Sequence, residues 1–586
     1  MRQLDGADNG RNNNNNMFEK QQRGSSITVR RHDPKLPQSA AERALPLQEV
    51  NRVLIYDIPK IVSRASERAR ARLEVCTGLL YAPYGVQHAS TTTELVEVPM
   101  SRSCTTADCE IRVANGIIRR VSAAEALTRP TKGVMRSFTV VELNKGPQGK
   151  GRRRAIDHPA EQNDACYAAG YKSEVDLQHC SAYLDGVFQE CGCVSDIHAS
   201  FYGLELPAEA RAYYRFRDEA GNLYEATRSM MGHTVTAEIQ HLITSIVAGH
   251  PGYVKPEFAA PCIVKVWIDN VRYTGTRALV AKAREKLIVS AAACNVAFDV
   301  AELSTSYEFI GILFNHINHT VCLGSKTRGK LPASIPNTMR AGDLEGLVGR
   351  LIFAAAVRQQ PLVNNWWALK WTRRFFNKLN RGALSVDDVV RLDGIHRGSL
   401  EHWLATACVP HVVNRALHGN TATLFTDATL TGWGAVVIFD NDRMLVSGGR
   451  FLGDQSVGDI CRKEAWAVDN ALESFADALR GISRINLFVD NTSVVAAMRR
   501  GMPRADSLVD PIKSAWEKII GSKTTLFVDY VSTHINPADA ISRGENTVNV
   551  DATKHAMRTL AENNNQGHKN QRKGAGNGTR FVADTS

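Results

Sequence analysis

The tightest constraint on the fold lies between Thr421 and Arg543, where apolar runs change period in a fixed order. TLFTDAT and GWGAVVIF are of strand length, RMLVSGGR follows, and a short segment near Phe451 extends the set. RKEAWAVDNALESFADAL then carries apolar residues at helical spacing. RINLFVD predicts a fourth strand, and a helix runs from Thr492 to about Arg500. After a further helix near Lys513 comes the strand TTLFVDYV, then THINPADAISR. Antiparallel strands followed by strand–helix alternation predict a mixed five-stranded sheet with helices over residues 421–545.

Acids recur at informative places in that order. Asp427 lies on the first strand, Glu464 near the start of the long helix, Asp490 at the end of INLFVD, and Asp539 in HINPADAISR. Carboxylates at strand ends and first helical turns converge while remaining far apart in sequence. Such a set suits Mg²⁺, which prefers oxygen ligands and keeps waters, and a pair of ions can hold both oxygens of a phosphodiester under attack. The motifs TDAT-x-x-GWGA, KEA, FVDNTS and HINPADAISR resemble the ribonuclease H family of retroelements. That resemblance implies Asp427, Glu464, Asp490 and Asp539 as ligands of two Mg²⁺ ions, with Mn²⁺ as a substitute. It also implies that His534 assists near the metals.

Upstream, the parts of a nucleotidyl-transfer site occur in order. KGRRRAIDHPAEQND supplies Arg153 and Arg154, with Lys150 and Arg152, for phosphates; CVSDIHASFYGLEL places Asp196 five residues before Phe201. RSMMGHTVTAEIQHLI sets Gly232 ahead of a helix containing Gln240, and the hairpin CIVKVWIDNVRYTG carries Asp269 and Asn270 at its turn. YEFIGILFN follows, then a basic helical region. Across about residues 135–380 this order resembles the fingers, palm and thumb of a reverse transcriptase. The flavour is that of retroelements with a tyrosine recombinase, or of trypanosomatid elements, with the Ty3 group next. The resemblance implies Asp196 and Asp269 as ligands of two Mg²⁺ ions and Phe201 as a gate against a 2′-hydroxyl. It gives Gly232 and Gln240 to nucleotide and template positioning. Three departures stand out: Asn270 replaces the second acid, Ser229-Met230-Met231 precedes Gly232 without the usual proline, and AACNVAFDVAELS lacks the expected lysine.

Charge is unevenly spread. Between Lys326 and Arg381 eleven Lys or Arg face only Asp343 and Glu345, whereas residues 421–545 hold 13 basic and 16 acidic residues. The basic segment, with Lys370, Arg373, Arg374, Lys378 and Arg381, predicts contact with nucleic-acid phosphates. The 12 scattered cysteines match no zinc module and suit an intracellular protein, and no run of 18 apolar residues suggests a membrane span. The expected organisation is a disordered polar head (1–45) and an extension of unassigned role (46–134), either fingers-related or a small β-rich unit. Fingers and palm (135–325), a basic thumb or connection (326–420), the ribonuclease H-like domain (421–545) and a disordered tail (563–586) follow. The expected partners are RNA–DNA hybrid, primed RNA or DNA template, and deoxynucleoside triphosphates. The alternative is a silent or ribonuclease-only scaffold that binds nucleic acid.

Overall fold

The structure is a computed structural model. It describes residues 39–545, apart from 49, 51–53, 84–96, 99, 102, 143–149, 176, 178–179, 414–419 and 523, together with residue 548. The expected tail and residues 1–38 of the head lie outside the described residues. Ala40–Arg43, expected within the disordered head, forms a helical turn closed by a capping box between Ser39 and Glu42. The chain divides into two compact units, described separately below.

The first unit comprises residues 1–175, 193–273 and 278–302. Its centre is a four-stranded sheet in the order Ile263–Trp267, Asn270–Gly275, Cys191–Ile197, Phe298–Val300. The helix Thr236–Val247 buries every residue except Ala237. Its one acid is paired inside the protein: Glu238 accepts from Arg72 Nε at 2.7 Å and from the Tyr171 hydroxyl at 2.7 Å. Among the described residues of 46–134 the elements are mainly helical, Ile58–Arg64, Glu67–Tyr81, Thr106–Ala114 and Ala123–Thr128, with one short strand, Ile118–Arg120. The expectation of a separate β-rich unit there is corrected. The extension is tied into the unit through buried ion pairs, Asp108 with Arg153 and Arg112 with Asp157.

The second unit comprises residues 176–192, 274–277 and 303–586. It opens with strands Ser306–Phe309, Ile312–Asn315 and Thr320–Leu323, which pair successively antiparallel, and continues into helices Ala341–Val357, Trp366–Asn380 and Gly394–Ala407. Next comes the five-stranded sheet, ordered Met444–Arg450, Gly432–Phe439, Thr421–Ala428, Arg484–Val489, Thr525–Tyr530. Its first three strands pair antiparallel and the last two join in parallel. The mixed sheet read from the sequence is present. Phe451 belongs to no separate strand; it is a buried residue just past Arg450.

Side-chain alternation assigns the two faces of this sheet. Ala422, Leu424, Ile485, Leu487 and Val489 join the core beneath helices Ile460–Ser474, Thr492–Arg500 and Val509–Ser522. Phe425, Val436 and Phe488 point to the opposite face, where Ala538 and Ile541 of the short helix Ala538–Ser542 cover them. By the same alternation Asp427 and Asp490 share this second face. In the parallel register Thr426 is level with Val489, so the next residue on each strand is one of the two aspartates.

Three glycines admit the short helix. A Cβ on Gly434 would lie 2.4 Å from the Ser542 nitrogen and 2.6 Å from the Ala538 carbonyl oxygen. On Gly432 it would lie 2.9 Å from the Ser542 carbonyl oxygen, and on Gly448 2.7 Å from Ile541 Cγ2. At the other end of the domain, Val363 and Trp366 from the preceding helical region are part of the sheet's own core. Val363 N donates to Gly501 O at 2.7 Å, and Trp366 Nε1 to Pro503 O at 2.9 Å.

Gly434→Ala should destabilise the second unit by about 1–3 kcal/mol, because its methyl meets backbone that cannot swing aside. Gly398→Ala, at a helical site with nothing within 4 Å of the new Cβ, serves as the control. The urea midpoints of the two variants against the wild type check this.

Candidate active sites

In the second unit, Asp427 comes from the central strand, Asp490 follows its parallel neighbour, and Glu464 stands in the helix Ile460–Ser474. That helix starts where Asp459 caps the Arg462 N–H at 2.9 Å, which fixes the turn that presents Glu464. One carboxylate oxygen from each of Asp427, Glu464 and Asp490 lies within 4.8 Å of the others. Asp427 is 3% and Glu464 4% exposed. The Ser542 hydroxyl donates to Asp427 Oδ2 at 2.5 Å, and the Thr533 hydroxyl to Asp490 Oδ2 at 2.8 Å. Glu464 Oε2 is buried with no hydrogen-bond partner among the described residues.

Burial, then repulsion from Asp490 and Asp427, pushes Glu464 up to about 10. Burial, partly offset by the Ser542 hydroxyl, raises Asp427 to about 7, with the Asp490 and Asp539 charges adding to the rise. Lys463 does not relieve this crowding. Its ammonium donates to the Ser456 carbonyl at 2.5 Å and lies over the Phe451 ring. Converging acids that form no ion pair among the described residues, one of them with an orphaned buried oxygen, make a donor set that fits a hard divalent cation.

Asp539 and His534 are placed differently. Asp539 lies close enough to raise Asp427, yet both its oxygens accept from Arg543, at 2.9 Å each, and it is not among the three converging groups. His534 is exposed on the turn Thr533–Ile535. The structure thus brings together three of the four acids read from the sequence.

In the first unit, Asp196 is directly opposite Asp299 across the strand pair Cys191–Ile197 and Phe298–Val300. Asp269 is in the tight turn beside them, its carbonyl accepting from Ile197 N at 3.2 Å. Asp196 reaches solvent on one side, but the protein around it and the charges of Asp269 and Asp299 raise it to about 6. Ser200 Oγ donates to Asp269 Oδ2 at 3.0 Å, and Asn270 Nδ2 to Asp269 Oδ1 at 2.9 Å. The chain is strained here: Ile268, a β-branched residue, has φ +55°, and Ala199 has φ +49°. Asp299 was missed in the sequence because a lone acid in the three-residue strand FDV carries no motif.

Two residues expected at the nucleotide are committed to the interior. Arg153 is 5% exposed and forms a two-pronged pair with Asp108, at 2.7 and 2.8 Å. Alternation along Arg152–His158 turns it inward, which a run of three arginines conceals. Gln240 is 2% exposed, accepting from the Tyr56 hydroxyl at 3.3 Å and donating to Thr244 Oγ1 at 3.1 Å. Arg154 stays half-buried, donating to Gln48 Oε1 at 2.8 Å. Phe201 is half-buried on the turn Ser200–Gly203. A Cβ on Gly232 would fall 2.0 Å from the Asp157 carbonyl oxygen, so close packing against that strand demands glycine there.

In the basic helix Trp366–Asn380, Lys370 pairs with Asp506 and lies over the Trp366 ring, so it secures the helix to its neighbours. Arg373, Arg374, Lys378 and Arg381 are exposed. Arg500 is held below its ordinary value by burial and by the charges of Arg504 and Arg373, which extends the basic surface beyond the segment read from the sequence.

No known protein family and no curated protein matches the sequence. Three solved structures of the foamy viral protease-reverse transcriptase are distantly similar. The dRH form with double-stranded DNA has a TM-score of 0.43 at 13% identity, covering 83% of each chain. The complex with RNA/DNA hybrid gives 0.43 at 13%, over 82% of this chain and 64% of that one. The complex with double-stranded DNA gives 0.44 at 12%, over 82% and 98%. Among the described residues no helix is long and apolar enough to cross a membrane.

The raised carboxyls link folding to pH. Glu464 and Asp427 hold protons in the metal-free fold that the unfolded chain releases near 4.5 and 3.8, so their contribution to stability falls as pH rises toward about 7 and then 10. Between pH 5 and 9 the chelated wild type should lose more melting temperature than Glu464→Gln. Added Mg²⁺ should recover the difference mainly in the wild type.

Proposed function

We propose that this chain cleaves the RNA strand of RNA–DNA hybrids in its second unit, and that its first unit is an RNA-directed DNA polymerase of retroelement type. The observation that carries the first half is the convergence of Asp427, Glu464 and Asp490, one carboxylate oxygen of each within 4.8 Å of the others. In this reading the three acids hold Mg²⁺, and Asp539 joins them once released from Arg543. Bound Mg²⁺ supplies positive charge against the phosphoryl oxygens and lowers the pKa of an attacking water. The protein's share is to keep the acids deprotonated around the ion and to hold them at fixed spacing. The exposed arginines of the helix Trp366–Asn380 hold the hybrid by its phosphates. His534, on the same turn as Thr533, is available to a substrate or product proton from the solvent side.

Asp427→Asn and Asp490→Asn should each lower hybrid cleavage at least about 100-fold, the order seen when a main stabiliser of transition-state charge is lost. Both variants should remain folded. A gel assay of a labelled hybrid, with Mg²⁺ titrated, checks this. Near-normal cleavage by folded Asp427→Asn would overturn the assignment.

The polymerase half rests on Asp196 and Asp269, with Asp299 adjoining and Phe201 beside the sugar. One observation favours a second reading, a ribonuclease joined to an inert polymerase fold: both Asp269 oxygens are engaged, one by Ser200 and one by Asn270. Asp269→Asn should abolish primer extension on RNA while sparing hybrid cleavage, and Asn270→Asp should preserve or raise extension. Absence of extension in a wild type that cleaves hybrid supports the second reading.

A further inference from the structure

The segment from Thr533 to Arg543 does more than carry the fourth acid. It crosses the acid-bearing face of the sheet, anchored by Asn536 Nδ2 donating to Thr426 O at 3.0 Å and by the close approach at Gly432, Gly434 and Gly448. Its two ends reach the two strand-end aspartates. Thr533 donates to one oxygen of Asp490 and Ser542 to one oxygen of Asp427. We propose that Thr533 and Ser542 are positioning residues of the acidic cluster, each fixing one aspartate oxygen so that the other is aimed at a shared divalent cation. This deepens the ribonuclease reading and rests on it.

A carboxylate is free to turn about its Cβ–Cγ bond, and an ion binds well only when several such groups stop in the right orientation. Occupying one oxygen of each aspartate removes that freedom before the ion arrives. Ser542 is 5% exposed and Asp427 3%, so water does not substitute readily for this hydroxyl. The Ser542 oxygen also lies 2.9 Å from the Asp539 carbonyl, and its single proton must choose. Toward an ionised Asp427 the bond is charge-assisted and the stronger of the two. The serine thereby links the positions of Asp427 and of the helix turn bearing Asp539. Neither hydroxyl carries charge, so its removal takes no ionised group from the cluster.

The test uses the full chain, with Mn²⁺ as the probe and unbound Mn²⁺ read by electron paramagnetic resonance. Ser542→Ala and Thr533→Val should each weaken Mn²⁺ binding about ten-fold, the lower end of what lost partners of metal-binding groups cost. Ser542→Thr and Thr533→Ser, which keep the hydroxyls, should restore it. Hybrid cleavage should fall in kcat with KM for the hybrid unchanged, and excess Mn²⁺ should recover part of the loss. Thr533 is exposed, so its valine variant tests the idea even if Ser542→Ala folds poorly. Wild-type Mn²⁺ affinity in both hydroxyl-deleted variants overturns the positioning role and leaves the ribonuclease reading standing. Failure of the hydroxyl-retaining variants to recover assigns these residues to packing and overturns it too. Mn²⁺ binding that Asp427→Asn leaves unchanged overturns both.

Discussion

The pairing of Thr421–Ala428 with Arg484–Val489 is the interaction on which the second unit depends. Parallel pairing places equivalent strand ends at the same edge, and here each end carries an acid, Asp427 just before Ala428 and Asp490 just after Val489. A shift of one residue would turn Asp427 or Asp490 into the helix-covered core. The apolar alternation of Leu424, Leu487 and Val489 against Phe425 and Phe488 forbids that shift. The register that maximises burial of hydrocarbon is therefore the register that concentrates negative charge.

Much of this was written in the local pattern. Strand length, alternation and the acids at element ends are short-range properties, and they located Asp427, Glu464 and Asp490 correctly as neighbours in space. What escaped depends on which way a side chain points once distant segments meet. Arg153 looked like a phosphate ligand because it stands in a basic run, yet Asp108 lies 45 residues earlier and claims it. Lys370 was grouped with its helix's cations, but Asp506 claims it from 136 residues away. Gln240 turned out to be internal because the whole helix around it is buried. Ser542 and Thr533 are ordinary residues in sequence, and only the folded path shows what they touch.

The first unit shows the opposite balance. Asp196, Asp269 and Asp299 are exposed or half-exposed, and Asp196 faces Asp299 across a strand pair, a pairing of like charges unfavourable by itself. Asn270 tempers it by presenting an amide where another carboxylate would have added to the repulsion, and Ile268 bears a positive φ to make the turn. The local cost is concentrated at the residues that would do the chemistry, as it is in the acidic cluster of the second unit.

Trp366 lies in the core of the five-stranded sheet although it precedes the first strand by more than fifty residues. A gene segment beginning at Thr421 would encode every strand, every acid and both hydroxyls, and still lack the indole that fills one end of the core. The folding module is longer than its signature. A truncation that keeps this core filled has to begin before Val363, so the basic helix goes with the acids as one piece.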